Sequence, residues 1–253
     1  MTGPTGSPVE AVDRALVVLQ ALAPAGPRGV GLAELALTLG LNKATLHRVL
    51  AALRYRGFVA QDPTTGAYLL GAGATRLADD FLGEENLPVL VHPALVALCQ
   101  TAGELVHLGV LSGSHVVYLD KVEPERAVRV WSAIGRQRPA VTTALGRALL
   151  AYRGTDRSML AGYARAADRP VDLDRVWSIL ERARAVGYAT EEEESEVGIS
   201  CLAVPLLRSG SAIAAVSVTA PAERMSAERL AALHADITRV LPPLLPDGIT
   251  LPG

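Results

Sequence analysis

The fold is decided by residues 41–56, which read Leu-Asn-Lys-Ala-Thr-Leu-His-Arg-Val-Leu-Ala-Ala-Leu-Arg-Tyr-Arg. Asn42 is suited to begin a helix here, because its side-chain oxygen can accept a backbone N–H of the first turn. Gly57 is suited to end it, because glycine tolerates the left-handed conformation found just past helix C-termini. Apolar residues at helical spacing predict one buried face, made of Leu46, Val49, Leu50 and Leu53. The opposite face is polar and basic.

The elements around this helix predict a small DNA-binding domain. Apolar spacing indicates a helix over residues 9–22, and the apolar stretch 32–37 leads into a glycine turn. Residues 58–60 and 67–70 are typical of short strands, and Asp-Pro-Thr-Thr-Gly at 62–66 is a turn sequence between them. Three helices followed by a hairpin have the order of a winged helix-turn-helix, here a unit of about 60 residues.

The polar face of the helix over 42–56 has the charge of a nucleic-acid-binding surface. Residues 27–60 contain five basic residues against Glu34, a local charge of +4 in a chain whose net charge is −2. Basic charge concentrated on a nearly neutral chain is the pattern of a DNA-binding module. Arg48 is suited to a bidentate guanine contact. The predicted DNA contacts are Lys43, Ala44, Thr45, His47, Arg48 and Arg54 on the helix, with Thr64 and Thr65 at the hairpin tip. The alternatives are an ordinary surface helix with solvated charges and a plain turn at the tip.

The pattern of elements changes after residue 85. Residues 72–85 predict a connecting helix, and beyond it strands occur in pairs with helices between them. The predicted helices cover 87–100, 142–152, 172–186 and 226–241, and the predicted strands cover 104–111, 115–122, 127–134, 200–207 and 212–219. This order predicts an α+β domain with a mainly antiparallel sheet. The expected organisation is a flexible arm at 1–8, the winged helix-turn-helix domain at 9–71, a linker helix at 72–85 and a second domain at 86–245.

The second domain contains a candidate small-molecule pocket. Strand alternation places four residues on one face: Ile213, Ala215, Ser217 and Thr219. Two hydroxyl groups on a small apolar surface suit a ligand pocket, and Cys201 neighbours them if its strand pairs with theirs. Thr142 and Thr143 begin a helix whose free N–H groups suit a carboxylate. Gly146 would let a ligand approach that helix closely.

Each of these features also has a plain structural explanation. The two strand hydroxyls can be satisfied by local hydrogen bonds, and Cys201 can be a small buried filler. The acidic run at 191–194 is typical of a solvated loop, since neighbouring like charges repel and stay hydrated. Arg136 and Arg138 can attract an acidic ligand or can be solvated loop charges.

Short motifs follow one another in order along residues 9–241: Ala11-Val-Asp-Arg-Ala-Leu16, Leu32-Ala-Glu-Leu-Ala36, Leu41 to Leu50, Leu53 to Gly57, Tyr68-Leu-Leu-Gly71, Thr101-Ala-Gly-Glu-Leu105, Thr143-Ala-Leu-Gly-Arg-Ala148, Gly187-Tyr188 and Glu196-Val-Gly-Ile-Ser-Cys-Leu-Ala-Val-Pro205. Together these motifs resemble the IclR family of bacterial transcription regulators. Two positions depart from the family pattern. Ala44 stands where a serine is usual, which removes a hydroxyl contact, and Arg147 stands where a lysine is usual, which keeps the charge.

The resemblance implies a C-terminal effector-binding domain with a GAF-like or profilin-like fold, which binds a small metabolite, often an organic or aromatic acid. The ligand contacts that it implies, beside Thr143, are Ala144, Gly146, Glu191, Cys201, Ser217 and Thr219. It also implies dimers that often join into tetramers. A single small DNA-binding unit buries little DNA surface, which independently predicts a homo-oligomer on double-stranded DNA. We therefore expect a transcriptional regulator, more specifically a repressor, whose affinity for a pseudo-palindromic operator changes when a small carboxylic acid binds.

The rival class is an enzyme or a ligand-binding module that uses Cys201. The sequence holds no His-x-x-x-His or Cys-x-x-Cys spacing and no phosphate-binding glycine-rich loop, so it predicts neither metal nor cofactor. Cys201 as nucleophile with His107 as base has no supporting local motif, and we do not expect an enzyme. With two cysteines, no signal peptide and no apolar run of spanning length, we expect a cytoplasmic protein without membrane contact.

Overall fold

The structure is a computed structural model that describes residues 7–82, 86–125 and 132–253, and the side chains of 79–82 lie outside this description. Contacts divide the chain into two compact units, Met1–Asn86 and Leu87–Gly253. No helix in the described ranges is long and apolar enough to cross a lipid bilayer.

Among its described residues, the first unit packs three helices against one another and adds a two-stranded wing and a fourth helix. Its elements are α1 (Glu10–Leu22), α2 (Leu32–Leu39), α3 (Lys43–Tyr55), β1 (Val59–Gln61), β2 (Tyr68–Leu70) and α4 (Ala72–Leu82). Leu22, Leu46 and Leu50 are completely buried in the core. β1 and β2 pair antiparallel, with Ala60 opposite Leu69. The predicted winged helix-turn-helix is confirmed.

The ends of α3 follow the predicted capping. The Asn42 side chain accepts the N–H of Thr45 at 2.8 Å. Gly40 takes the left-handed conformation (φ 62°) that ends α2. Gly57 (φ 74°) turns the chain out of α3, and its N–H donates to the Arg54 carbonyl at 2.9 Å. These contacts fix the two ends of the helix that carries the basic face.

The start of α4 is packed against the end of α3 through glycine residues. The N–H of Gly73 donates to the Gly57 carbonyl, and the N–H of Gly71 donates to the Phe58 carbonyl, both at 2.8 Å. A Cβ atom on Gly71 would lie 2.3 Å from the Gly57 carbonyl oxygen, and one on Gly73 would lie 2.9 Å from it. No side chain fits at either position, so the contact joins backbone to backbone.

The second unit is an α+β domain built on an antiparallel sheet. Its described elements are α5 (Leu87–Ala102), β3 (Leu105–Ser112), β4 (His115–Val122), β5 (Gln137–Pro139), α6 (Ala144–Ala151), α7 (Leu160–Ala164), α8 (Leu173–Val186), β6 (Ala189–Glu192), β7 (Ile199–Arg208), β8 (Ser211–Pro221) and α9 (Ala227–Val240). Within the described residues the strands form one sheet in the order β5-β4-β3-β8-β7-β6, with every neighbouring pair antiparallel. The predicted α+β fold is confirmed. Most of the predicted strand 127–134 lies outside the described residues, and the sequence did not predict α7, β5 or β6.

Helices cover both faces of this sheet. α5 and α9 share a core with one face, and α6 and α8 share a core with the other. Ile213 was expected on the same face as Ala215, but it packs with the α5–α9 core, whereas Ala215 packs with the α6–α8 core. The register between β7 and β8 shifts between Leu206 and Leu207, at the level of Ile213. Simple alternation therefore fails at this bulge and holds only from Ala215 onward.

Candidate functional site

The basic face of α3 is open to solvent. The buried residues of this helix are Leu46, Leu50 and Leu53, so the basic face points away from the core. The helix residues predicted to contact DNA include five exposed ones and the half-buried Thr45: Lys43, Ala44, Thr45, His47, Arg48 and Arg54. The structure leaves this surface accessible, and its contacts with DNA stay a prediction.

A groove of about 490 Å³ lies between α3 and α1. Its apolar lining is Ala11, Ala15, Val49, Ala52 and Leu53, and its polar lining is Thr45, Arg14, Arg48 and Arg56. Arg14 forms an ion pair with Glu10, one helical turn earlier. Arg14 was not predicted from the sequence, because α1 precedes the basic stretch 27–60 and a single arginine gives no signal by itself. Arg48 thus stands beside a second and a third arginine along one groove.

The hairpin tip is shaped by Asp62. Its carboxylate accepts the N–H groups of Thr64 at 2.8 Å and Thr65 at 2.7 Å, and these hydrogen bonds lower the pKa of Asp62. Thr64 and Thr65 are exposed. Arg54 turns toward the wing, where its Nη1 donates to Gln61 Oε1 at 2.8 Å. Arg54 therefore ties α3 to β1, a contact that the sequence did not predict.

Three of the predicted ligand residues meet in one row across the sheet of the second unit. Glu191 pairs with Cys201, and Cys201 pairs with Thr219, so their side chains point to the same face. Cys201 Sγ lies 3.2 Å from Thr219 Oγ1. A cavity of about 40 Å³ is lined by this row and by His107, Tyr118, Ser132, Arg136, Arg138 and Glu196, among others. The predicted hairpin and the predicted neighbourhood of Cys201 and Thr219 are confirmed.

His107 supplies the buried polar floor of this cavity. Its Nε2 lies 2.8 Å from Ser132 Oγ and its Nδ1 lies 3.5 Å from Thr219 Oγ1, while its ring stacks on Tyr118 at 4.6 Å between centroids. Burial, reinforced by the charge of Lys121, lowers the pKa of His107 to about 4, so the ring is neutral at pH 7. Burial also raises the pKa of Tyr118 to about 12. From the sequence, His107 was a candidate only as an enzymatic base, because no neighbouring motif marks it as part of a pocket.

Cys201 lacks the surroundings of a nucleophile. Burial raises the pKa of its thiol, and the nearby Glu191 carboxylate acts in the same direction. The thiol is therefore protonated at neutral pH, whereas a nucleophilic cysteine needs a thiolate. Its hydrogen-bonding contacts are Thr219 and Glu191, and not His107. Among the described residues, no group of three or more His, Cys, Asp or Glu side chains could hold a metal ion.

The acidic run at 191–194 is not simply a solvated loop. Glu191 lies in β6 with 2% of its surface exposed, and its carboxylate accepts the N–H groups of Glu194 at 2.6 Å and Ser195 at 2.9 Å. Burial outweighs these hydrogen bonds and raises the pKa of Glu191. The expectation of a solvated run is wrong for Glu191, because its carboxylate folds inward and caps the turn that follows.

Arg147 anchors that turn to α6. Its side chain is completely buried, and its guanidinium donates to the carbonyls of Val141 at 2.9 Å and Thr190 at 3.0 Å. It also forms an ion pair with the Glu194 carboxylate, one contact of which measures 3.1 Å. Arg175 approaches the same carboxylate at 3.3 Å. The arginine at 147 thus supplies a fork that serves three acceptor groups.

The beginning of α6 is filled by the protein itself. Thr143 Oγ1 accepts the N–H of Gly146 at 3.1 Å, and a Cβ atom on Gly146 would lie 2.1 Å from the Ala140 carbonyl oxygen. The room beside Gly146 is therefore taken by Ala140, and the N–H that was expected to meet a ligand is already used. Thr143 and Ala144 are buried, as is Ser217, which pairs with His107 across the sheet. These four predicted residues do not line the cavity described above.

Comparison with known proteins accounts for both units. The family model described as "IclR helix-turn-helix domain" matches residues 11–63, and the model described as "Bacterial transcriptional regulator IclR C-terminal" matches residues 80–240. The HTH-type transcriptional regulator XynR of Escherichia coli is 31% identical over 88% of this chain and 90% of its own. The glycerol operon regulatory protein of Streptomyces coelicolor is 36% identical over 87% and 88%, and the transcriptional repressor IclR of E. coli is 31% identical over 90% and 86%.

Solved structures share the fold. The Thermotoga maritima IclR structure superposes with a TM-score of 0.70 at 25% identity, covering 92% of this chain and 96% of that one. An IclR homologue from Microbacterium hydrocarbonoxydans, solved with 4-hydroxybenzoate, has a TM-score of 0.69 at 19% identity, covering 93% and 99%. At 19% identity, the similarity to the second structure supports a shared fold and nothing more.

Proposed function

The chain belongs to the IclR family of bacterial transcriptional regulators, and we propose that it is a repressor whose operator affinity changes when a small organic acid binds in its second unit. As a member of this family it is a DNA-binding regulator with a C-terminal effector-binding domain, and not an enzyme. The observation that carries the proposal is the exposed basic face of α3 within a winged helix-turn-helix. A protein of this kind works beside the DNA, in the cytoplasm of a bacterial cell.

The DNA contacts are assigned to the exposed residues of α3 and of the wing. Arg48 reads a guanine edge, Lys43 and Thr45 meet phosphates or base edges near the start of the helix, and the wing tip meets the backbone. Ala44 and His47 lie on the same face, and Arg54 is also bound to the wing. One unit of this size covers a half-site, so two copies bind a pseudo-palindromic operator. Exposed apolar residues on α1 and α4 suit a two-fold interface between copies: Val9, Val12, Leu16 and Leu77.

The effector is assigned to the cavity around Cys201 and Thr219. This cavity brings several polar side chains together at one place, and convergent polar groups fix the orientation of a metabolite in its site. Arg136 and Arg138 line the cavity and favour an anion. The structurally similar homologue solved with 4-hydroxybenzoate is in keeping with an aromatic acid, and the similar E. coli repressor is in keeping with the sign of regulation.

The DNA-binding proposal is tested with a duplex selected from a randomised pool by the wild-type protein. Arg48→Ala should weaken binding to the selected duplex by about tenfold to a hundredfold, the usual loss for a bidentate base contact. Arg182→Ala removes an exposed arginine from α8 of the second unit and should leave the affinity unchanged. Equal affinity of both variants, or failure to select any duplex, would reject the assignment.

The effector is sought by measuring thermal unfolding in the presence of a panel of small carboxylic acids. A true ligand raises the melting temperature by mass action in a dose-dependent way. The same acid should then change the affinity for the selected duplex, because a ligand regulates only through different affinities for two arrangements. An acid that stabilises the protein but leaves the duplex affinity unchanged would contradict the regulatory role of this cavity.

A further inference from the structure

An ion pair stands at the edge of the ligand cavity. Arg138 Nη2 lies 3.1 Å from Glu196 Oε2, and both residues line the cavity. Arg138 follows the sheet edge in β5, whereas Glu196 projects from the turn between β6 and β7. The Glu196 side chain is 47% exposed and that of Arg138 is 22% exposed. The pair therefore connects two separate segments of the cavity wall.

The cavity is small for a metabolite. Its volume of about 40 Å³ compares with roughly 10–15 Å³ for one enclosed water probe and with roughly 300 Å³ or more for ordinary ligand sites. A ring-sized acid enters only if part of the wall moves. The Arg138–Glu196 pair is a partly exposed contact of modest strength, so separating the two side chains opens this part of the wall at low cost.

The turn that carries Glu196 is held by contacts that do not involve the Glu196 carboxylate. Glu193 has φ 54° and Gly198 has φ 79°, so left-handed residues bracket the turn. On the β6 side, Glu191 and Arg147 hold the turn through buried contacts. Glu196 lies beyond these anchors, and its carboxylate can leave Arg138 without breaking them.

The charged side chains that line the cavity are Arg136, Arg138, Glu191 and Glu196, and the floor also holds two uncharged rings. Arg136 and Arg138 bring positive charge to the rim. The floor holds His107, whose pKa is lowered to about 4 by burial, and Tyr118, whose pKa burial raises to about 12. These uncharged hydrogen-bonding rings suit a hydroxyl group, and the arginines at the rim suit a carboxylate.

We propose that the Glu196 carboxylate occupies the place on Arg138 that an effector carboxylate takes when it binds. The effector, a small hydroxy acid, binds by displacing Glu196 from Arg138. The ligand hydroxyl then meets His107 and Thr219 on the floor. This inference rests on the proposed function, since it concerns the same cavity. It makes the Glu196 side chain an internal competitor, so that ligand binding releases the Glu196 side of the turn 193–198, while Glu191 and Arg147 still hold its β6 side.

The test uses the full-length chain with 4-hydroxybenzoate as probe and the uncharged 4-hydroxybenzamide as its matched control, with affinities measured by calorimetry. Glu196→Gln should bind 4-hydroxybenzoate about two- to fivefold more tightly than the wild type, the gain expected from removing a half-exposed competing pair. Arg138→Gln should bind it at least about tenfold more weakly, because a charge-assisted hydrogen bond is lost. Glu192→Gln removes an exposed carboxylate from the neighbouring strand and should leave the affinity unchanged.

Three outcomes overturn the inference. Glu196→Gln could bind with wild-type affinity, 4-hydroxybenzamide could gain as much as the acid, or the acid could bind to none of the proteins. A measurement without ligand adds to these: amide hydrogen exchange in residues 193–198 should be faster in Glu196→Gln than in Glu192→Gln, and equal rates also count against the competing pair. Binding of all variants to the selected duplex separates these failures from a failure of the proposed function, which would abolish that binding.

Discussion

Replacing the buried Arg147 by methionine is the sharpest test of how the second unit is held together. Methionine has a similar length and no charge, so Arg147→Met keeps most of the volume while removing the guanidinium. The variant leaves the carbonyls of Val141 and Thr190 and the carboxylate of Glu194 without the donor that serves them. The backbone of α6 itself has no reason to change.

The size of the loss follows from these contacts. The buried carbonyl of Val141 and the partly buried carbonyl of Thr190 cost about 1 kcal/mol each when they lose their donor, the low end of the range, and the charge-assisted contact with Glu194 adds about 1.5 kcal/mol or more. Glu194 keeps Arg175 at 3.3 Å and is 26% exposed. Losing Arg147 therefore costs less than leaving a fully buried carboxylate without any partner. We expect a loss of about 3 kcal/mol in the free energy of unfolding, or a melting temperature about 6–12 °C lower for a chain of this size.

The assay is denaturant unfolding followed by tryptophan fluorescence. Trp131 and Trp177 both fall after residue 87, so the signal reports on the second unit. Arg182→Met is the control for removing an exposed arginine. Combining Arg147→Met with Glu194→Gln closes a double-mutant cycle that isolates the ion pair. A loss of less than about 1 kcal/mol for Arg147→Met would refute the view that this side chain anchors the turn.

Two further predictions concern other parts of the molecule. The wild type should lose about 3 kcal/mol of unfolding free energy between pH 6.5 and 4. In this range the unfolded chain takes up a proton on His107, whereas the folded protein does not, because the pKa of its His107 is lowered to about 4. His107→Gln should not show this loss, and equally steep pH profiles of the two proteins would contradict the prediction. Leu50→Ala should destabilise the first unit by about 2–5 kcal/mol, since Leu50 is completely buried. Duplex binding should fall, while the unfolding transition monitored by tryptophan fluorescence should keep its midpoint. A shift of that midpoint would argue against independent unfolding of the two units.

The fold was predictable wherever local signals agreed. In the first unit the Asn42 cap, the glycine stop and the apolar stripe all favoured the same helix, and α3 was correctly bounded within one residue at each end. The strand β6 was missed because four glutamates in a row resemble a solvated loop. Only the tertiary contacts of Glu191 and Arg147 explain why that run is drawn against the sheet. Ile213 was misplaced because a bulge changes the alternation, and local sequence carries no mark of it.

The candidate ligand site was predictable only in part. Cys201 and Thr219 became neighbours through hairpin register, which the strand pattern implies. His107 and Tyr118 come from another pair of strands, and Arg138 comes from a short edge strand. Such residues converge only after the sheet order is known, because the order β3-β8-β7 brings together segments more than a hundred residues apart. Gly146 was misread for a related reason, since the group beside it is a backbone carbonyl and not a ligand.

The backbone contacts of Gly71 and Gly73 couple the start of α4 directly to the segment that ends α3. A twist applied to the first turn of α4 reaches the end of α3 through main-chain atoms, with no side chain in between to absorb it. A methyl group at position 71 would clash with the Gly57 carbonyl oxygen and would force the two segments apart. The stiffness of the connection between α3 and α4 therefore depends on glycine at positions 71 and 73.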